Sequence, residues 1–306
     1  MGYQLPEELI FLKNKNEVQK VSKESLKDKV CIITGSTSGV GLEALKRFAK
    51  SGAKLVMVCR NEEKAIRVKK EILNEYNVLI DIIIADFSKL NDVREAAKII
   101  LRDYPQIDVF VNSAGLHSTK LIHTEEGFEL VYCVNHLAPF LLINLLANRF
   151  KESVNCRIIL VNSEGHRFNG LNPKDLNWNK RHYTGLRGYG ASKTAELLTL
   201  IKFKELFRGS DVTINAMHPG DVKTNIGNNN GLLYKWFLHN VTWNFLKDSK
   251  ISGEAIYYLA SSKELNYVTG RFFHLTIDEK PAKHARDKEM AEVIWDLSMS
   301  MTGLNE

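Results

Sequence analysis

Tyr189 and Lys193, four residues apart in Tyr189-Gly190-Ala191-Ser192-Lys193, are the pair in this sequence best suited to moving a proton. Positions i and i+4 share a helix face, so a phenol and an ammonium can converge on one site. Nearby positive charge favours the phenolate, letting the tyrosine give a proton to a carbonyl oxygen or take one from an alcohol. Ser163, closing the apolar run Leu160-Val161-Asn162-Ser163, offers a hydroxyl that could hold a substrate oxygen beside Tyr189. Asn135, polar within the apolar stretch Val134-Asn135-His136-Leu137, can hold a water or bend its helix. Taken singly, each has a structural reading as well, since YxxxK occurs by chance on helix surfaces. His166 and His218 have no acid placed beside them in the sequence and read as ordinary hydrogen-bonded histidines.

A second group of residues has the form of a phosphate cradle. Thr34-Gly35-Ser36-Thr37-Ser38-Gly39-Val40-Gly41 follows an apolar strand-like run and opens a helical one. Glycines at 35, 39 and 41 let the turn tighten and the backbone approach a pyrophosphate, and Ser36, Ser38 and Val40 lie along the same contact. The helix N-terminus presents free N–H groups and the positive end of its dipole. Such a turn implies a nicotinamide dinucleotide.

The ends of the next strands refine that expectation. An NAD-selective site usually carries an acid about twenty residues on. Here the chain reads Val58-Cys59-Arg60-Asn61, and Arg60 could pair with a 2′-phosphate. NADP(H) is favoured on this ground and NAD(H) stays open, an exposed surface arginine being the alternative. Asp86, followed by Phe87, could accept from an adenine amino group or cap its own turn. Asn112-Ser113-Ala114-Gly115 supplies small residues where backbone must pass close to a cofactor, with Asn112, Ala114 and Gly115 the contacting positions. In His218-Pro219-Gly220-Asp221-Val222-Lys223-Thr224, Pro219 and Gly220 shape a turn, and Val222 and Thr224 lie within reach of the cofactor.

These residues need a scaffold that brings strand ends together. Short β-branched runs at 30–34, 55–59, 81–85, 109–112, 157–162, 212–217 and 271–275 alternate with helical patterns at 42–51, 62–76, 91–104, 125–150 and 189–208. That alternation predicts βαβ units, and nearly continuous apolar strands predict a parallel sheet covered on both faces. The expected architecture is α/β: a single-domain Rossmann fold with a doubly wound, seven-stranded parallel sheet and helices on both faces, spanning 29–306. Residues 1–28 form an N-terminal arm, partly helical around 6–11. The segment 166–188 reads as a long loop. The segment 225–250, glycine- and asparagine-rich and then aromatic, reads either as a substrate lid or as a helical hairpin on the core.

Composition excludes several classes. The 306 residues are 44% hydrophobic and 25% charged, with 42 basic and 36 acidic side chains giving a net charge of +6. The excess is scattered, so nucleic acid is not an expected partner, while weak attraction to acidic lipid or an anionic cofactor is compatible. Cys31, Cys59, Cys133 and Cys156 are far apart, with no metal-ligand spacing, and read as reduced core thiols of a cytoplasmic protein. Residues 1–28 contain no apolar run of signal or anchor length, so no transmembrane segment is expected. The sequon at Asn240-Val241-Thr242 carries no meaning in that setting.

The ordered motifs resemble those of the short-chain dehydrogenase/reductase family: a TGxxxGxG turn at 34–41, NNAG at 112–115, a helix asparagine at Asn135, a serine at Ser163, YxxxK at 189–193 and PGxVxT at 219–224. The chain is most similar to the retinol-dehydrogenase-like branch in Cys59-Arg60-Asn61, Ser163-Glu164-Gly165-His166-Arg167, Thr269-Gly270-Arg271-Phe272-Phe273 and Val293-Ile294-Trp295-Asp296-Leu297-Ser298. The resemblance implies Tyr189 as general acid/base, Lys193 on the cofactor ribose, Ser163 orienting the substrate oxygen and Asn135 holding a water. Two positions depart from the pattern: Ser113 stands for the second asparagine of NNAG, and Asn162 for the first serine of a serine pair.

The expectation is therefore an NADP(H)-dependent oxidoreductase interconverting an alcohol and an aldehyde or ketone on an apolar, retinoid-, steroid- or lipid-like substrate. An NAD(H)-dependent enzyme of the same fold and a non-catalytic NADP(H)-sensing protein are the alternatives. Pairing into a homodimer through helices such as 125–150 and 189–208 is compatible with the family resemblance.

Overall fold

Every apolar run expected as a strand takes its place in one sheet in the computed structural model, which describes residue 14, residues 17–220 and residues 249–305. The strands are β1 Val30–Thr34, β2 Lys54–Cys59, β3 Ile80–Ile84, β4 Val109–Asn112, β5 Arg157–Val161, β6 Thr213–His218, β7 Phe272–His274 and β8 Ile277–Glu279. They lie in the order β3-β2-β1-β4-β5-β6-β7-β8. The first seven are parallel, as expected. β8 is an addition, antiparallel to β7, formed as the chain doubles back at Leu275 and Thr276. Leu275 takes φ +55°, the left-handed conformation such a tight reversal needs.

The helices are α1 Gly39–Lys50, α2 Glu62–Glu75, α3 Leu90–Asp103, α4 Leu130–Glu152, α5 Gly185–Leu206, α6 Lys250–Ser261 and α7 Lys288–Met301. Successive strand residues face opposite sides of the sheet, so each strand feeds two cores. Ile32, Val56, Phe110, Ile158 and Ile214 pack under α3, α4, α5 and α7. Cys31, Met57, Val111, Ile159 and Met217 pack under α1, α2 and α6. All four cysteines are buried and unpaired in these layers. α4 is long and apolar enough to cross a membrane by composition, but 83% of its most apolar window is buried, which makes it a core helix.

Two helices begin four or five residues from where their periodicity predicts. α4 starts at Leu130, not at 125, because residues 124–128 form a turn closed by Gly127 N–H to Thr124 O. Glu129 then caps the helix, its carboxylate accepting from the Val131 and Tyr132 amides. α5 starts at Gly185, four residues ahead of Tyr189, because the Thr184 hydroxyl caps the Arg187 amide. The glycines at 185, 188 and 190 mask this turn from any propensity argument.

Of the arm, residues 17–28 run along α6 and the β7–β8 turn. Gln19 and Lys20 bond Thr276, and Leu26 is buried against α1 and α6. The helical segment expected at 6–11 and all of 225–250 except its last two residues lie outside the described residues.

Candidate active site

Strand order reverses at β1, which lies between β2 and β4. In open α/β sheets the crevice beyond such a switch point is where ligands bind, outside the carboxyl ends of the strands. The residues singled out from sequence converge there. Gly35 to Gly41 follow β1, Arg60 follows β2, Asp86 and Phe87 follow β3, and Asn112, Ala114 and Gly115 end or follow β4. Ser163 follows β5, and Pro219 and Gly220 follow β6. Val222 and Thr224 lie outside the described residues.

The turn after β1 is too close for side chains. Gly35 has φ +67°, and a Cβ on it would stand 2.6 Å from the Ala114 Cα. A Cβ on Gly41 would meet the Gly35 carbonyl oxygen at 2.6 Å. Ser38, exposed at the N-cap of α1, makes no side-chain bond to the helix amides. Free N–H groups at a helix start beside a glycine cradle form a donor set suited to a pyrophosphate, so the turn fits a dinucleotide. Ser36 is different: it is buried, and its hydroxyl lies 3.4 Å from the Cys59 sulfur.

Arg60 is exposed at the end of β2, beside Asn61, which caps α2 through the Lys64 amide. Asp86 accepts from the Ser88 amide and hydroxyl at 2.9 Å, so the turn-capping role is the one its geometry displays. The Phe87 ring is buried in the core beneath α3 and α4, leaving only its backbone to face a ligand. The Asn112 side chain is likewise turned inward, between Thr34 and Glu196. Gly115, by contrast, is exposed.

Tyr189 is half-buried in the second turn of α5, with its ring against Gly165: a Cβ there would lie 2.6 Å from Tyr189 Cε1 and 3.3 Å from Ser163 Oγ. The phenol and the serine thus flank one point. Ser163 Oγ accepts from the Gly165 amide at 3.0 Å, which leaves its hydroxyl proton to donate outward. Lys193 is buried and donates to Val161 O at 2.8 Å and to Glu196 Oε2 at 3.1 Å. An ammonium has three N–H groups, so one remains for a cofactor hydroxyl.

Asn135 lies at the centre of a π-helical turn, Cys133–Leu137, inside α4. Its amide is engaged twice by the Leu116 backbone, accepting from N–H at 2.8 Å and donating to C=O at 3.0 Å, and it also donates to Ser192 Oγ. The side chain therefore ties the loop after β4 to α5, and the helix departs from regular α geometry around it.

His166 behaves as the structural histidine expected. Its Nδ1 lies 2.7 Å from Ser163 O and its Nε2 accepts from the Ala282 amide at 3.1 Å, while burial pushes its pKa down to about 4. His218 has an acid neighbour that the sequence did not place: its Nδ1 accepts from the Glu164 amide, and the two side chains interact electrostatically. Glu164, His274 and Glu279 bring ligand-type atoms within 4.8 Å of one another, a grouping with no sequence spacing to announce it. The positive charge there is Arg167, paired with Glu164 and, at 2.7 Å, with Glu279.

Two further neighbours of the site escaped the sequence reading. His117, on the loop after β4, stacks edge-on against Tyr189 with ring centroids 5.7 Å apart, and burial lowers its pKa. Glu196 lies three residues beyond Lys193. Its signal was a lone acid inside the apolar stretch Ala195-Glu196-Leu197-Leu198.

Comparison with known proteins agrees with this fold. The family described as short chain dehydrogenase matches residues 29–232. Retinol dehydrogenase 13 of Homo sapiens is 33% identical over 288 residues, covering 92% of this chain and 87% of that protein. Retinol dehydrogenase 14 of Homo sapiens is 33% identical over 292 residues, covering 90% and 87%. A Streptomyces protein assigned as a daunorubicin C-13 ketoreductase is 31% identical, covering 91% and 94%. Among solved structures, an uncharacterised protein from Mycobacterium paratuberculosis superposes with a TM-score of 0.74 at 25% identity, covering 94% of this chain and 98% of that one. A Shigella flexneri protein complexed with NADP superposes with a TM-score of 0.67 at 21% identity, covering 83% and 99%.

Proposed function

The chain belongs to the short-chain dehydrogenase family and is an oxidoreductase acting on CH–OH groups and their carbonyls; from that premise we propose that it uses NADP(H), takes an apolar substrate, and has Tyr189 as general acid/base. The observation that carries the reading is the meeting of Tyr189 and Ser163 around Gly165, with Lys193 one helical turn beyond Tyr189.

The Gly35–Gly41 turn and the α1 N-terminus would hold the pyrophosphate, Lys193 the ribose hydroxyls, and Arg60 a 2′-phosphate. When bound, the nicotinamide supplies hydride-transfer chemistry. Ser163 donates its hydroxyl proton to the substrate oxygen and holds it beside the phenol. In reduction Tyr189 gives its proton to that oxygen, and in oxidation it removes one. Asn135 keeps the Leu116 backbone and α5 in register, which holds Tyr189 in place.

Two features favour NADP(H). No carboxylate stands at the end of β2, and Arg60, whose planar fork suits a phosphate, is exposed there. The Shigella flexneri protein of the same fold binds NADP. The apolar substrate class is drawn from the names of the relatives, the retinol dehydrogenases first among them.

The test is a screen of apolar aldehydes, ketones and their alcohols, read by NADPH absorbance, with Tyr189→Phe as control. Tyr189→Phe should lose about 10²–10⁴-fold in turnover while still binding NADPH. Arg60→Ala should raise the KM for NADPH and leave that for NADH unchanged. Retained turnover in Tyr189→Phe removes the assigned acid/base. Tight NADPH binding without turnover across the panel moves the reading to a cofactor-sensing protein.

A further inference from the structure

Glu196 is buried, on α5, and accepts from side chains at the ends of two strands, Asn112 of β4 and Asn162 just beyond β5. The Ser113 and Ala114 amides donate to Thr34 Oγ1 at 3.1 and 3.0 Å, and the Thr34 hydroxyl then donates to Asn112 Oδ1 at 3.0 Å. That orients the Asn112 amide, so its Nδ2 must donate to Glu196 Oε1, at 3.1 Å. On the other side the Ser163 amide donates to Asn162 Oδ1 at 2.8 Å, so Asn162 Nδ2 must donate to Glu196 Oε2, at 2.7 Å. Lys193 Nζ donates to the same oxygen. Three N–H donors thus converge on the two oxygens of Glu196, one of them the Lys193 ammonium, a donor set suited to a carboxylate.

We propose that Glu196 is a positioning residue for the proton transfer, anchoring the Lys193 ammonium and offsetting its charge so as to set the pH range over which Tyr189 works. The inference rests on the assignment of Tyr189 and Lys193 made above and extends it. A bare ammonium beside a phenol stabilises the phenolate, and a carboxylate bonded to that ammonium weakens the effect. One departure from the family pattern acquires a partner here: Asn162, where a serine is usual, supplies a side-chain donor to Glu196.

Other titratable groups facing the pair do not carry the charge. His117, against the Tyr189 ring, is driven toward the neutral form by burial. His136, in the π-helical turn, is pushed down to about 3 by burial and by Lys193 itself. Glu164, next to Ser163, is paired with Arg167. Lys193 and Glu196 are the ion pair carried on the same helix as the phenol.

The experiment is an ultraviolet difference titration of the full chain, each protein read against its own Tyr189→Phe partner so that one phenol among the ten tyrosines is isolated. Glu196→Gln should move the Tyr189 midpoint to lower pH by on the order of one unit, and Lys193→Met should move it up. The acid limb of kcat/KM for alcohol oxidation should follow the same displacement. A midpoint unchanged or raised in Glu196→Gln overturns the inference. If Glu196→Gln does not fold, Glu196→Asp keeps the charge but draws it back, and a smaller downward shift is expected; no shift there overturns the inference equally. A shifted titration in a protein whose wild type turns over no carbonyl supports the Glu196 link and removes the functional reading alone.

Discussion

Tyr189 lies directly against the backbone of Gly165: a single added carbon at that glycine would come within 2.6 Å of Cε1 of the ring. The Tyr189 ring is thus accommodated by the absence of a side chain at Gly165. Gly165→Ala should push the ring and Ser163 apart. A displacement of this size typically costs about 10²-fold in kcat. NADPH affinity should hold, since the nucleotide turn lies elsewhere. Steady-state kinetics with a fluorescence titration of NADPH checks both halves.

Gly41→Ala should do the reverse. Its Cβ would meet the Gly35 carbonyl at 2.6 Å and the Ser113 hydroxyl at 3.0 Å, deforming the cradle itself. NADPH binding should weaken by on the order of 10²-fold, judged from the loss of a few charge-assisted bonds, with the fold kept. Circular dichroism alongside the titration separates lost binding from lost structure.

The site's ingredients were legible where chemistry needs a particular side chain at a particular spacing. The glycines at 35, 39 and 41, Ser163, and Tyr189 with Lys193 stand in the sequence in the order the fold uses them. The seven parallel strands were legible because burial on both faces makes them continuously apolar. What escaped has physical reasons. Glu196 has the residue type of a solvated helix face, and only the strand ends packed on it, distant in sequence, make it a buried carboxylate. His117 meets Tyr189 across 72 positions of chain, a contact that no local pattern carries. β8 is Ile277-Asp278-Glu279, too short and too acidic to show alternation. Asp86 could be read as ligand or cap, and its carboxylate accepts from the Ser88 amide and hydroxyl.

Asn162→Ala should destabilise the protein by about 2 kcal/mol, because it leaves the Ser163 amide without its side-chain acceptor and Glu196 short of a donor. Urea unfolding measures this. An Asn162→Ala protein as stable as wild type would mean that water replaces the amide there.

Acid should unfold the protein in part through His166. The folded imidazole stays neutral down to about 4, while the unfolded one takes a proton at its ordinary value of 6.5. Between those values the unfolded chain binds more protons, so stability falls as the pH drops from about 6.5 toward about 4. Above 6.5 the contribution is fully present. Its size is on the order of 3 kcal/mol. His166→Gln should show a shallower loss of stability over this window, by up to one proton in the slope, in urea titrations at several pH values.

The turn between β7 and β8 is pinned by residues from the far end of the chain. Asn14 bonds Glu279 at 2.9 Å, and Gln19 and Lys20 bond Thr276 at up to 3.0 Å. Glu279 in turn holds Arg167, which braces Glu164 beside Ser163. These links join positions more than 250 apart in sequence. Contacts of such long range carry the largest loop-closure cost and form last. During refolding the sheet and the nucleotide turn should therefore be in place before the serine is braced, and cofactor binding should return ahead of turnover.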